Sequence, residues 1–118
     1  MTQIKNNALR ITTESADRSW TGVAAAWANL NGTGTIALRD SFNVASMVDG
    51  GVGIYTFNYS SNMNAADYYS NPAVINSTGN DTDSSVFSYS TSSVQITNRR
   101  SAANFDGDSG VVVFGDLA

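Results

Sequence analysis

The chain of 118 residues contains no cysteine and no histidine, one proline (Pro72) and one glutamate (Glu14). The missing cysteine excludes disulfide staples, thiolate chemistry and thiolate zinc sites, and it leaves the redox compartment open. The missing histidine removes the commonest general base and the commonest metal ligand together. Charge is scarce too: 14% of residues are charged, against ~25% in ordinary globular proteins. Ser, Thr, Asn and Gly fill the gap. A weakly charged surface suits a subunit that buries part of itself in an oligomer. With five Arg, one Lys and a net charge of −4, the only basic pair is Arg99-Arg100. Phosphate neutralisation needs clustered cations, so nucleic acid is not an expected partner. No apolar run approaches the ~18 residues of a membrane span, and no membrane insertion is expected. The N-terminal residues lack the basic-then-apolar pattern of a secretory leader.

What is present is turn chemistry between short apolar runs. Residues 1–20 are polar apart from Ile4, Leu9 and Ile11, and read as a docking arm or a disordered terminus. Residues 21–118 read as one domain. Residues 22–30 are ambiguous. Val23, Ala26, Trp27 and Leu30 have helical spacing, but the run is short, and as a strand it would put Trp27 on one face and small alanines on the other. Thr35–Leu38 is a short strand candidate. Phe42, Val44 and Val48 alternate with small or polar residues. The glycines of Asp49-Gly50-Gly51 suit a hairpin turn, after which Tyr55, Phe57 and Tyr59 share one face. Residues 60–67 read as a loop. Pro72 cannot donate to a ladder, so its strand lies at an edge or starts after it. Residues 76–85 and 98–108 read as polar loops, 86–89 and 93–97 as strands. Val111–Phe114 is a continuous apolar run, the pattern of a strand covered on both faces. Seven or eight short strands with turns between them predict an all-β, antiparallel, jelly-roll-like sandwich.

Candidate chemistry is sparse. Gly107-Asp108-Ser109-Gly110 spells the string around a serine-protease nucleophile, but no histidine is there to take the serine proton; a turn into the last strand explains it better. Asp106-Gly107-Asp108 and Asn80-Asp81-Thr82-Asp83 are oxygen-rich but lack the remaining ligands of a calcium loop. Asp67, Asp81, Asp83, Asp106 and Asp108 all sit in turn-rich segments, which favours solvated turn residues over a glycosidase pair. No catalytic residue, metal or cofactor is expected. The suggestive group is Tyr68, Tyr69 and Asn71. Tyrosine can stack on a sugar ring while hydrogen-bonding, and the amide can bind hydroxyls; equally, the tyrosines can serve packing.

Trp27, Asn29, Asn31, Gly32–Ile36, Ser41–Val44, Ser46, Gly53, Tyr55-Thr56, Asn58, Tyr69 and Val111–Gly115 follow an ordered pattern. It resembles a short domain that recurs in bacteriophage virion proteins, especially at the ends of tail fibres of marine phages. The resemblance runs from about residue 24 to 115. Leu30 stands where that pattern has Phe, and 76–108 matches loosely. The opening segment of that family is a strand, so the resemblance makes 22–30 a strand. It also implies a virion-exposed β-sandwich of the fibre-tip or spike type on the tail or capsid surface. Such a protein would be a homotrimer that attaches to a bacterial surface glycan or protein, with residues 1–20 docking on other virion proteins. The alternatives are an architectural capsid or tail decoration subunit and, behind it, a glycan-cleaving enzyme.

Overall fold

The computed structural model describes residues 23–75 and 82–118. Nine strands run in chain order: β1 (Ala24–Asn31), β2 (Ala37–Phe42), β3 (Val44–Gly51), β4 (Ile54–Tyr59), β5 (Tyr69–Val74), β6 (Thr82–Tyr89), β7 (Ser93–Arg100), β8 (Ala103–Asn104) and β9 (Ser109–Phe114). All pairings between them are antiparallel. One sheet has the order β2-β1-β9-β5 and the other β3-β4-β7-β6, with β8 paired to the end of β7. The first and last of these strands lie side by side, as in a jelly roll. The fold is the antiparallel β-sandwich that the turn spacing predicts, with two-residue β8 as the strand that spacing does not suggest.

The core is built by alternation. Ala26, Ala28 and Leu30 of β1, Tyr55, Phe57 and Tyr59 of β4, Val94 and Ile96 of β7, and Val111 and Val113 of β9 all point between the sheets and are buried. Period-two spacing places each set on one face. The helical spacing of 22–30 is therefore incidental. A helix would turn Ala28 away from the face shared by Ala26 and Leu30, whereas a strand buries all three together. The Tyr55-Phe57-Tyr59 stripe is core, and Pro72 sits within an edge strand, as its missing donor requires.

Several boundaries differ from the sequence reading. The strand expected across 41–48 is broken at Asn43, which has φ 57°. There the chain leaves one sheet at Phe42 and enters the other at Val44. Asn43 holds this corner by donating from Nδ2 to the carbonyls of Ala25 (3.1 Å) and Ser61 (3.0 Å) and accepting from the Ser61 amide (2.7 Å). The hairpin turn falls at Val52-Gly53, after Asp49-Gly50-Gly51, because a bulge between Asp49 and Gly51 absorbs the first turn signal. Residues 82–85, expected as loop, belong to β6, and 98–100 to β7. Their polar side chains belong to a strand pair with one solvated face. The arm at 1–20 and the loop at 76–81 lie outside the described residues.

Candidate functional site

The 105–110 segment, which carries the protease-like string, is a clasp. The Asp106 carboxylate accepts from the Gly53 amide (2.8 Å) and the Tyr55 hydroxyl (3.0 Å). Asp108 accepts from the Gly32 amide (3.1 Å) and from Arg39 Nη2 (2.9 Å). That guanidinium bond, with the Gly32 amide, holds the Asp108 carboxyl below its ordinary range against the opposing effect of burial. The two carboxylates thus tie the β1–β2 and β3–β4 turns to the approach of β9, and they are not the merely solvated turn residues that composition suggests. Ser109 is fully buried and out of reach of a substrate. Among the described residues, no group of three acidic side chains is placed to hold a metal. The Arg99-Arg100 pair is engaged in the β7–β8 turn: Arg99 donates to the Ala102 carbonyl and Arg100 lies 4.2 Å over the Phe105 ring.

The three residues singled out from the sequence divide between interior and surface. Tyr68 turns inward. Its hydroxyl accepts from Tyr59 (3.0 Å) and donates toward the carbonyls of Ser90 (2.9 Å) and Ser93 (3.0 Å), bridging the sheets. Its ring meets Tyr59 and Tyr89 edge-on, at centroid separations of 6.1 and 5.4 Å. Burial raises its pKa, because ionisation there would strip water from a phenolate. Tyr69 turns outward and is 64% exposed. Asn71 follows two positions along β5 on the same outer face, opposite Val112.

Tyr69 stands at an open hollow of about 360 Å³ lined by Asn64, Asp67, Tyr68, Phe114 and Asp116 among others. The hollow forms where β5 begins and β9 ends. The residues after β9 run back over the 60–67 loop: Asn64 donates to the Asp116 carbonyl (2.8 Å), and Met63 bridges Leu117. The result is a ledge with an aromatic ring on one side, two carboxylates and an amide around it, and no Lys or Arg among the described lining residues. Such a ledge can stack a sugar ring on Tyr69 and accept hydrogen bonds from its hydroxyls. The same carboxylates disfavour an anionic ligand.

Asp116 and Phe114 join this site only through tertiary structure. Asp67-Tyr68-Tyr69 is a sequence signal for part of it. Asp116 and Phe114 lie about 45 residues away along the chain, brought in because β9 pairs with β5. No family model matches the chain, and no curated protein or solved structure is significantly similar to it.

Proposed function

We propose that the protein is a phage virion structural component of the fibre-tip or spike type, a homotrimer on the tail or capsid surface that attaches to a bacterial surface glycan. The observation that supports this reading best is the exposed Tyr69 ring at a carboxylate- and amide-lined hollow on a sheet edge. A ring held by backbone pairing loses little entropy on binding, which favours a weak single site made effective by several copies. No activity is proposed. Binding to host cells and to immobilised neutral polysaccharide tests the reading. Retention by the native chain and loss with Tyr69→Ala is the expected result; equal retention of both would sink it.

A second reading, an architectural decoration subunit, draws support from the large apolar side chains on the outer face of the β2-β1-β9-β5 sheet. It is separated from the first by infectivity. A cementing role predicts that Tyr69→Ala virions assemble and infect normally.

A further inference from the structure

The β2-β1-β9-β5 sheet carries large apolar side chains on both faces, with Asn29, Asp40 and Asn71 among those of the outer face, and the described chain covers only the inner one. On its outer face Phe42, Trp27 and Val112 stand directly opposite one another across β2, β1 and β9. Phe114 lies in the next row, opposite Tyr69. At the end of the row, Val23, Ala25, Phe42 and Leu117 line a mostly apolar hollow of about 520 Å³, with Asn64 and Asp116 also in its wall. Trp27 is 36% exposed, Phe42 51%, Val23 46% and Leu117 46%. Ile75 packs beside Gly110 on the other flank and is 37% exposed.

We infer that this face is where a second copy of the chain docks, through Phe42, Trp27, Val112 and the hollow beside them. Three observations favour a copy as the occupant. The first is area. At ~200 Å² for a large side chain, the exposed fractions of Val23, Trp27, Phe42, Ile75 and Leu117 leave on the order of 400 Å² of apolar surface in water. One side of a standard interface buries ~800 Å², a little over half of it apolar, so the face is close to the size a stable contact needs. The second is charge. On a chain of net charge −4, the row Phe42, Trp27 and Val112 itself carries no charge; Asp40, opposite Asn29 in the neighbouring row, and Asp116, in the lining of the hollow, stand at its margins. Identical faces can meet through that uncharged row and leave both carboxylates at its edge, where solvent and salt screen them. The third is β9, whose continuous apolar run has Val111 and Val113 in the core and Val112 and Phe114 on the open side. A central strand of this composition is expected to be covered on both faces.

This contact would supply the trimer of the attachment reading with its face, and rests on that reading for the number three; self-association is measured separately from binding. Sedimentation equilibrium of the full chain is expected to show an oligomer at micromolar concentration. Phe42→Asp and Trp27→Lys are expected to give monomers that still unfold cooperatively, since both side chains are partly solvated. Val48→Asp, on the opposite sheet and 51% exposed, should leave the oligomer intact. A monomeric native chain overturns the inference, as does an oligomer that survives both face variants or is lost equally with Val48→Asp. If the oligomer behaves as expected but binds no saccharide, the attachment reading falls and this one stands. Saccharide binding by a monomeric native chain gives the reverse.

Discussion

Tyr55 and Asp106, 51 residues apart in the chain, are joined by a 3.0 Å hydrogen bond from the phenol to the carboxylate. The same Asp106 Oδ1 accepts the Gly53 amide at 2.8 Å. One oxygen thus closes the β3–β4 turn and satisfies a tyrosine whose ring lies in the core. Asp106→Ala leaves both donors without that acceptor, a loss of about 1–3 kcal/mol. Urea unfolding should show a lower midpoint at unchanged slope. An unchanged midpoint would show that water replaces the carboxylate fully.

Alkali should destabilise the fold. Burial is the main cause that raises the pKa of Tyr55, Tyr59 and Tyr68, helped at Tyr55 by the Asp106 carboxylate and at Tyr59 by the Tyr68 hydroxyl. A folded pKa above the unfolded value of 10.0 means that the folded state keeps protons the unfolded state releases. That stability is complete below about pH 10 and falls as pH rises further. Tyrosinate absorbance followed against pH should appear in two phases, with the second coinciding with unfolding by circular dichroism.

Acid acts through Asp108 with the opposite sign. Its carboxyl is held below 3.8 by the Arg39 guanidinium and the Gly32 amide. The stabilisation is present above about pH 4 and is lost as pH falls through the folded pKa. Arg39→Met should flatten the acid limb of a stability–pH profile and leave the alkaline limb alone.

Gly53 has φ 72°, and a methyl group on it would sit 2.7 Å from the carbonyl oxygens of both Asn98 and Phe105. Gly53→Ala should therefore cost more than the ~1–2 kcal/mol of left-handed strain alone. At the β7–β8 turn the situation is reversed. Ser101 and Ala102 have φ 50° and 66°, a primed-turn conformation better served by Asn-Gly. Ala102→Gly should stabilise the domain by roughly 0.5–1 kcal/mol by relieving strain of this kind. Thermal unfolding of the two variants should move in opposite directions.

Tyr68 and Tyr69 should separate in a paired experiment. Tyr68→Phe removes the bridge to Ser90 and Ser93 and should lower stability by about 1 kcal/mol without changing saccharide retention. Tyr69→Ala should stay within ±0.5 kcal/mol of the native stability, as an exposed substitution does, while saccharide retention falls. If Tyr68→Phe weakened binding as much as Tyr69→Ala, both would belong to the ligand surface.

How legible was this molecule from its residues? Tyr55, Phe57 and Tyr59 alternate with polar side chains, and β4 could be read from them directly. Pro72 narrowed β5 to an edge strand or one that starts after the proline, and only the sheet order decided for the edge. β8 was illegible because Ser101-Ala102 carries no turn signal; the turn forms because β7 and β8 pair across it and Arg99 caps the Ala102 carbonyl. The hairpin signal at Asp49-Gly50-Gly51 misplaced the turn because two glycine-bearing sites compete and the bulge uses the first. Of the site, Tyr69 was visible as an aromatic, while Asn71, read with it, shares its outer face but does not line the hollow. Nothing local distinguished Tyr69, which faces water, from Tyr68, which faces Tyr59.

Composition and periodicity alone determine that the described chain folds as antiparallel β-structure and that it lacks the residues of histidine- or thiolate-based chemistry. Those properties depend on neighbours two to four positions apart or on simple counts. Tertiary structure alone decided that Asp106 and Asp108 clasp distant turns, that Asn43 switches the chain between sheets and that Phe114 and Asp116 stand beside Tyr69. It also decided that Trp27, Phe42 and Val112 form one exposed row. Each of these is a long-range pairing, fixed by strand register and core packing, and no local pattern encodes which strand lies next to which.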